Sequence, residues 1–88
     1  MNTLDRLIRS KGISRYGIFA SVGEGSFFPD GTEDSSGYVI DERGRVFSYW
    51  TAWDHERGCL AFDEWKRVRD PHDQDPEYLA ARKAAGLA

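Results

Sequence analysis

The stretch that most constrains the fold runs from residue 37 to residue 54, where two strand-like segments flank a tight turn. The turn is Asp41-Glu42-Arg43-Gly44, with aspartate at the first position of a type I turn and glycine where a left-handed residue must follow. Glycine takes that conformation without a steric penalty, so Gly44 sets the register. The pattern predicts a β-hairpin with strands over residues 38–40 and 45–53.

The second strand of this hairpin is apolar on both of its faces. Period-two alternation puts one set of residues on one face and a second set on the other: Val46, Ser48, Trp50 and Ala52, then Phe47, Tyr49, Thr51 and Trp53. A half-buried antiparallel strand usually shows one polar face. Either helices or a second copy of the chain cover both faces, or one face is left open for a partner.

The N-terminal part of the chain predicts a helix, a strand and a loop. Residues 2–11 are expected to form a short amphipathic helix that ends at Gly12, and residues 15–22 are expected to form a strand. A glycine inside that strand, Gly17, indicates a bulge or a close approach of another backbone. Residues 23–36 are rich in glycine, aspartate and serine, which predicts a loop.

The C-terminal part of the sequence predicts a strand, a linker and a helix, and this helix has the clearest start signals in the chain. Residues 59–68 alternate as a fourth strand, and the break in alternation at Asp63-Glu64 indicates a bulge or a helical turn. A linker spans residues 70–75. Asp75 then caps a helix over residues 76–86 that has Pro76 at its first position. The predicted fold is a single α+β domain: a short N-terminal helix, a four-stranded antiparallel meander sheet, and a C-terminal helix packed on the sheet.

Composition excludes several classes of protein. The chain has 88 residues, which is one domain, and its hydrophobic share of 40% is ordinary for a globular protein. A net charge of −3 argues against a dedicated nonspecific nucleic-acid binder, because phosphate neutralisation drives that binding. The single cysteine cannot form an internal disulfide, no apolar run approaches the roughly 20 residues of a membrane span, and no signal-peptide pattern opens the chain. We therefore expect a cytoplasmic protein without a membrane segment.

Three sets of residues have the chemistry for catalysis but not the spacing. Asp54-His55-Glu56 places an imidazole between carboxylates, although neighbouring residues in a turn point in different directions. His72 lies beside further carboxylates, and Cys59 would need a histidine base to act as a nucleophile. None of these patterns has metal-ligand spacing. We expect no catalytic, metal or cofactor site, and a small enzyme using His55 is the third-ranked hypothesis.

Aromatic and basic residues near the hairpin predict a binding surface. Tyr49, Trp50 and Trp53 lie close to Arg45 and Arg67, and this composition is typical of protein–protein hot spots. The first hypothesis is a non-enzymatic protein-interaction module whose partner is another protein or a second copy in a homodimer. The alternative is a small-ligand or single-stranded nucleic-acid binder on the same sheet. Because Trp50 and Trp53 differ by three positions, they should lie on opposite faces.

Overall fold

The computed structural model describes residues 3–27, 33–69 and 75–87. They form two helices and four strands, in the order α1 (Thr3–Arg9), β1 (Tyr16–Phe27), β2 (Glu33–Asp41), β3 (Val46–Asp54), β4 (Cys59–Val68) and α2 (Pro76–Ala84). The strands form one antiparallel sheet in the order β1-β2-β3-β4. The predicted α+β class and meander topology are confirmed.

The β2–β3 hairpin has the predicted turn. Gly44 has a φ of 82°, its N–H donates to the Asp41 carbonyl at 3.0 Å, and the Asp41 N–H donates to the Arg45 carbonyl at 3.0 Å. The carboxylate of Asp41 also accepts the N–H groups of Arg43 and Arg45, at 3.0 and 2.8 Å. An L-residue with a Cβ would be strained at position 44, and so the glycine fixes where the chain reverses.

The two helices lie on opposite sides of the sheet. Val39 and Ile40 are neighbours on β2, both fully buried, and their side chains point to opposite faces. Ile40 packs in one core cluster with Tyr78 and other α2 residues, whereas Val39 packs in a second cluster with Ile8 of α1. The two apolar faces of the hairpin are therefore both used for packing within one chain.

Helix α2 begins as predicted and packs closely on β1. The Asp75 side chain accepts the Glu77 N–H at 2.9 Å, with Pro76 at the first helical position. A Cβ built on Gly17 would lie 2.5 Å from the Ala81 Cα and 2.6 Å from its carbonyl carbon. The predicted close backbone approach at Gly17 is confirmed. The helix ends at Ala84, two residues earlier than predicted, because the next residues form the cap that leads to a left-handed Gly86.

Helix α1 ends earlier than its predicted range of 2–11, of which residue 2 lies outside the described part of the chain. It ends at Arg9, and Gly12 then reverses the chain with a φ of 83°. Ile13 folds back and is 4% exposed in the same core cluster as Ile8. This hydrophobic contact across the helix end stabilises a helix that is too short to persist alone.

The prediction of a loop over residues 23–36 is wrong at both of its ends. Strand β1 continues to Phe27 and β2 begins at Glu33, with Val22 opposite Ser36 and Gly23 opposite Ser35. The Ser35 N–H also donates to the Thr51 hydroxyl at 2.9 Å, which ties this part of β2 to β3. Pairing with neighbouring strands therefore overrides the weak intrinsic strand preference of glycine and serine.

Both edge strands contain a bulge. In β1 the register shifts between Phe19 and Val22, where Ala20 takes a φ of 50° and donates its N–H to the Glu77 carboxylate at 2.8 Å. It shifts a second time between Gly23 and Phe27. In β4 the register shifts so that Glu64 pairs with Trp50 and Phe62 pairs with Thr51, leaving Asp63 unpaired. The predicted irregularity at Asp63-Glu64 is thus a bulge.

Because of the Asp63 bulge, the predicted assignment of β4 residues to the two faces of the sheet is wrong for Phe62. Simple alternation would put Leu60 and Phe62 on the same face as Glu64, Lys66 and Val68. The extra residue instead moves Phe62 to the face of Trp65. Of the predicted linker over residues 70–75, residues 70–74 lie outside the described part of the chain.

Candidate functional site

The five residues predicted to bind a partner lie in different environments. Tyr49 is 1% exposed and its ring lies in the core cluster below α1. Trp50 is 48% exposed and projects from the α2 side of the sheet, since it alternates with Val46 along β3. Trp53 is partly buried and, by the same alternation, shares the α1 side with Tyr49. Trp50 and Trp53 are therefore on opposite faces, while the guanidinium groups of Arg45 and Arg67 both lie over the ring of Phe47.

Three partly buried rings form a continuous strip on the α1 side of β3 and β4. Phe47 stacks on Trp65 with centroids 4.8 Å apart and planes 16° apart, and Trp65 meets Phe62 at 4.8 Å. We call Phe47, Phe62 and Trp65 the aromatic strip. Phe62 and Trp65 are an odd number of positions apart, so without the Asp63 bulge they would point to opposite faces.

Tyr49 supports the aromatic strip from beneath. Its ring meets Phe62 edge-on at 5.9 Å, and its hydroxyl shares a hydrogen bond of 3.2 Å with Ser21 of β1. A buried tyrosine hydroxyl with a partner avoids the cost of an unsatisfied polar group. Tyr49 thus fixes the position of Phe62 but does not itself reach the surface.

Three cationic side chains lie over the rings of the strip. The guanidinium carbons of Arg45 and Arg67 are 5.6 and 5.9 Å from the Phe47 centroid. The Lys11 ammonium is 5.9 Å from the Phe62 centroid and 5.7 Å from that of Trp65. Each such contact contributes about 0.5–1 kcal/mol where it is exposed to solvent. The strip is therefore a positively charged aromatic surface on a protein of negative net charge.

Arg45 is held in place by a buried carboxylate. Asp41 is 1% exposed, and its Oδ2 accepts the Arg45 Nε–H at 2.6 Å. Within the described residues, neither Arg67 nor Lys11 has a carboxylate within salt-bridge distance. One cation at the strip is thus fixed by the hairpin turn, and two are available to an anionic group of a partner.

Sequence reasoning missed Lys11 and the three rings of the strip. Alternation did place Phe47 on the face of Tyr49, but it put Phe62 and Trp65 on different faces. The break in alternation at Asp63-Glu64 was the available signal, since a bulge there brings both rings to one side. Lys11 had no signal in the sequence, because its position follows from how α1 docks on the sheet.

Helix α1 is attached next to the strip by a polar contact between Asp5, Arg9 and Tyr16. The Tyr16 hydroxyl donates a short hydrogen bond to the Asp5 carboxylate, which also accepts the Arg9 Nε–H at 3.0 Å. The hydrogen bond from Tyr16, followed by that from Arg9, lowers the pKa of Asp5. Burial, together with the Asp5 carboxylate, raises the pKa of Tyr16 to about 12. The phenol therefore stays neutral and bonded through the physiological pH range.

The opposite side of the β3–β4 ribbon has a different chemistry. Trp50 lies directly across from Glu64, whose carboxylate accepts the Ser48 hydroxyl at 3.2 Å. Lys66 is two positions further along β4 on the same face, across from Ser48. Here a half-exposed ring stands beside a carboxylate, whereas the aromatic strip combines rings with cations.

The residues considered for catalysis do not converge. His55 is exposed in the β3–β4 turn, and the Asp54 Oδ1 accepts the N–H groups of Glu56 and Arg57 at 3.0 and 3.2 Å. A cavity of about 210 Å³ beside this turn is lined by Asp54 and Asp63 but not by His55. Cys59 is exposed, and His72 lies outside the described residues. Among the described residues no three histidine, cysteine or carboxylate side chains are grouped closely enough to hold a metal ion.

Comparison with known proteins gives no relative. No protein-family model, curated protein or solved structure matches the chain. In the described ranges no helix is both long and apolar enough to span a membrane.

Proposed function

We propose that the protein is a non-enzymatic interaction module that binds an acidic segment of a partner protein on its aromatic strip. The observation that supports this most is the placement of Arg45, Arg67 and Lys11 over the three rings. Aromatic side chains and arginine are the residue types that contribute most to protein–protein binding energy. The partner would lie along β3 and β4 beside α1.

Carboxylates are the groups that this surface would recognise. Arg67 and Lys11 are both exposed, and their N–H donors lie beside the rings of Phe47 and Trp65. A glutamate or aspartate of the partner would accept these donors in charge-assisted hydrogen bonds. Apolar atoms of the same segment would cover the exposed ring edges and exclude water from those bonds.

A single-stranded nucleic acid fits the strip less well. Bases bind such surfaces by stacking on free ring faces. Here Phe47 and Trp65 stack on each other, and cations lie over the faces of Phe47 and Phe62. A base would have to displace one of these groups, and the net charge of −3 would repel the phosphates at long range.

A short oligo-glutamate peptide and its oligo-glutamine counterpart would test the proposal by calorimetry. We expect the glutamate peptide to bind and Arg67→Gln to weaken it roughly fivefold, the equivalent of about 1 kcal/mol for an exposed ion pair. Lys66→Gln is a matched control: the charge change is the same at the adjacent position, but the side chain lies on the other face.

Two results would contradict the proposal. Equal weakening by Arg67→Gln and Lys66→Gln would show that only net charge matters. Tighter binding of a single-stranded oligonucleotide than of the glutamate peptide, at the same salt concentration, would favour the nucleic-acid alternative instead.

A further inference from the structure

The α2 side of the sheet contains a shallow cleft that the aromatic strip does not share. Its volume is about 190 Å³, and its lining includes Ala20, Ser36, Ser48 and Glu64. Trp50 stands directly across from both Ser36 on β2 and Glu64 on β4. In antiparallel strands such opposite residues have their Cβ atoms about 4.5–5.5 Å apart on one face. Trp50 does not line the cleft itself but stands beside it, opposite two lining residues, Ser36 and Glu64. The cleft thus offers a carboxylate and serine hydroxyls, with a half-exposed indole ring at its margin.

Within the described residues, both the Trp50 ring and the Glu64 carboxylate have capacity for further contacts. Trp50 makes no ring or cation contact with the described residues, although it is 48% exposed. Glu64 accepts one hydroxyl hydrogen bond, from Ser48, and forms no salt bridge with any described residue. The nearest basic residue along its own strand face is Lys66, which is exposed.

We propose that this cleft binds the guanidinium group of an arginine side chain presented by a partner protein. A guanidinium is planar, so one face can stack on the Trp50 indole while its edge donates to the Glu64 carboxylate. The serine hydroxyls can accept further N–H groups, which a compact lysine ammonium would reach less well. An anionic ligand is excluded from this place because Glu64 would repel it.

The bulge at Asp63 supports the assignment. Asp63 is the extra residue immediately before Glu64, and it is exposed. Bulges in edge strands re-aim neighbouring side chains and are common beside binding sites. A second carboxylate next to Glu64 adds to the negative potential that would attract a cation, while Lys66 opposes it.

The arginine site is independent of the proposed acidic-segment site, since the two lie on opposite faces of the same ribbon. A short glycine–arginine peptide is the probe, and the same peptide with citrulline in place of arginine is its control. Citrulline has nearly the same shape but no charge. Titration followed by NMR would report the Trp50 indole N–H and the Glu64 backbone N–H separately from the resonances of Phe47 and Trp65.

We expect saturable shifts at Trp50 and Glu64 with the arginine peptide and none with the citrulline peptide. Glu64→Gln should weaken binding about fivefold or more, because it removes the charged acceptor. Lys66→Gln should strengthen binding about twofold, since it removes a competing cation, whereas Glu56→Gln in the β3–β4 turn should have no effect. The opposite signs at positions 64 and 66 distinguish a local site from nonspecific attraction.

Absence of shifts at Trp50, or equal shifts with citrulline, would overturn the arginine site. Equal weakening by Glu64→Gln and Glu56→Gln would also overturn it. The protein could also self-associate as its concentration rises, and Glu64→Gln could abolish that association. This result would refute binding to a different partner protein, because the arginine would then come from a second copy of the chain. Failure of the wild-type protein to bind the glutamate peptide would refute the acidic-segment proposal, and it would leave the arginine site unaffected.

Discussion

Substituting Gly17 by alanine tests how α2 is held on the sheet. A Cβ at this position would lie 2.5 Å from the Ala81 Cα and 2.6 Å from the Ala81 carbonyl carbon, with the carbonyl oxygen closer still. All of these are backbone atoms, so no side-chain rotation relieves the overlap. Helix α2 would have to move away from β1, and its buried Tyr78, Ala81 and Ala85 would lose contact with the sheet.

The size of the effect follows from two opposing terms. Alanine is favoured over glycine within a strand by about 0.5–1 kcal/mol, which would stabilise the variant. Overpacking of a core costs about 1–3 kcal/mol and sometimes more, and the cost should be at the upper end where backbone meets backbone. We expect a net loss of about 2 kcal/mol or more in the free energy of unfolding, which lowers the Tm by roughly 8–16 °C for a domain of this size.

Urea denaturation followed by tryptophan fluorescence and by circular dichroism would measure this loss. Gly58→Ala is a control for strain without a clash, because a Cβ there meets nothing within 4 Å although φ is +65°. It should cost about 1 kcal/mol. The double variant Gly17→Ala with Ala81→Gly should not regain stability. Stability of Gly17→Ala equal to that of the wild type, or rescue by Ala81→Gly, would refute the close backbone approach.

Three further predictions concern local contacts. Ala20→Gly should stabilise the protein by about 0.5 kcal/mol in thermal denaturation. The reason is that relief of the left-handed backbone strain at φ 50° outweighs the entropy that glycine adds to the unfolded chain. As a control, Ala61→Gly in β4 should destabilise the protein. Asp41→Ala should cost about 2–3 kcal/mol in urea denaturation, since it removes the acceptor of two backbone N–H groups and of Arg45, and a cost near zero would refute the role of this carboxylate. The pKa of Tyr16 is raised from 10.0 to about 12, so the stability that its neutral phenol contributes is full below pH 10 and falls as the pH rises toward 12. The difference in unfolding free energy between the wild type and Tyr16→Phe should therefore narrow over that pH range. A constant difference would contradict the raised pKa.

Local signals in the sequence predicted the elements whose geometry depends on a few adjacent residues. The Asp41–Gly44 turn and the Asp75-Pro76 helix start are of this kind, because each is fixed by hydrogen bonds and backbone angles within four or five residues. The irregularity at Asp63-Glu64 also has a local signal, the break in alternation. The strand over residues 59–68 was predicted with the bounds it has in the structure.

The remaining features depend on residues that are distant in the chain. Ser35 and Ser36 have weak strand preference, but they pair with β1 and β3 and so belong to a strand. The bulge at Ala20 has no glycine to announce it, and its free N–H is satisfied by Glu77, far along the sequence. Alternation could not tell that Tyr49 would be buried and Trp50 exposed, because α1 and α2 cover different parts of their two faces.

The register shifts in the two edge strands affect whether the open sheet can add a further strand from another molecule. Strands β1 and β4 are the margins of the sheet, and an uninterrupted margin would offer its backbone N–H and C=O groups to an additional strand from another molecule. In β1 the register shifts twice, around Ala20 and again between Gly23 and Phe27. In β4 it shifts once, at Asp63, which lies among charged side chains. Amyloid-like stacking through these margins is therefore disfavoured. A partner of the kind proposed above would have to be recognised by side chains on the faces of the sheet, and not by pairing with the backbone of a margin.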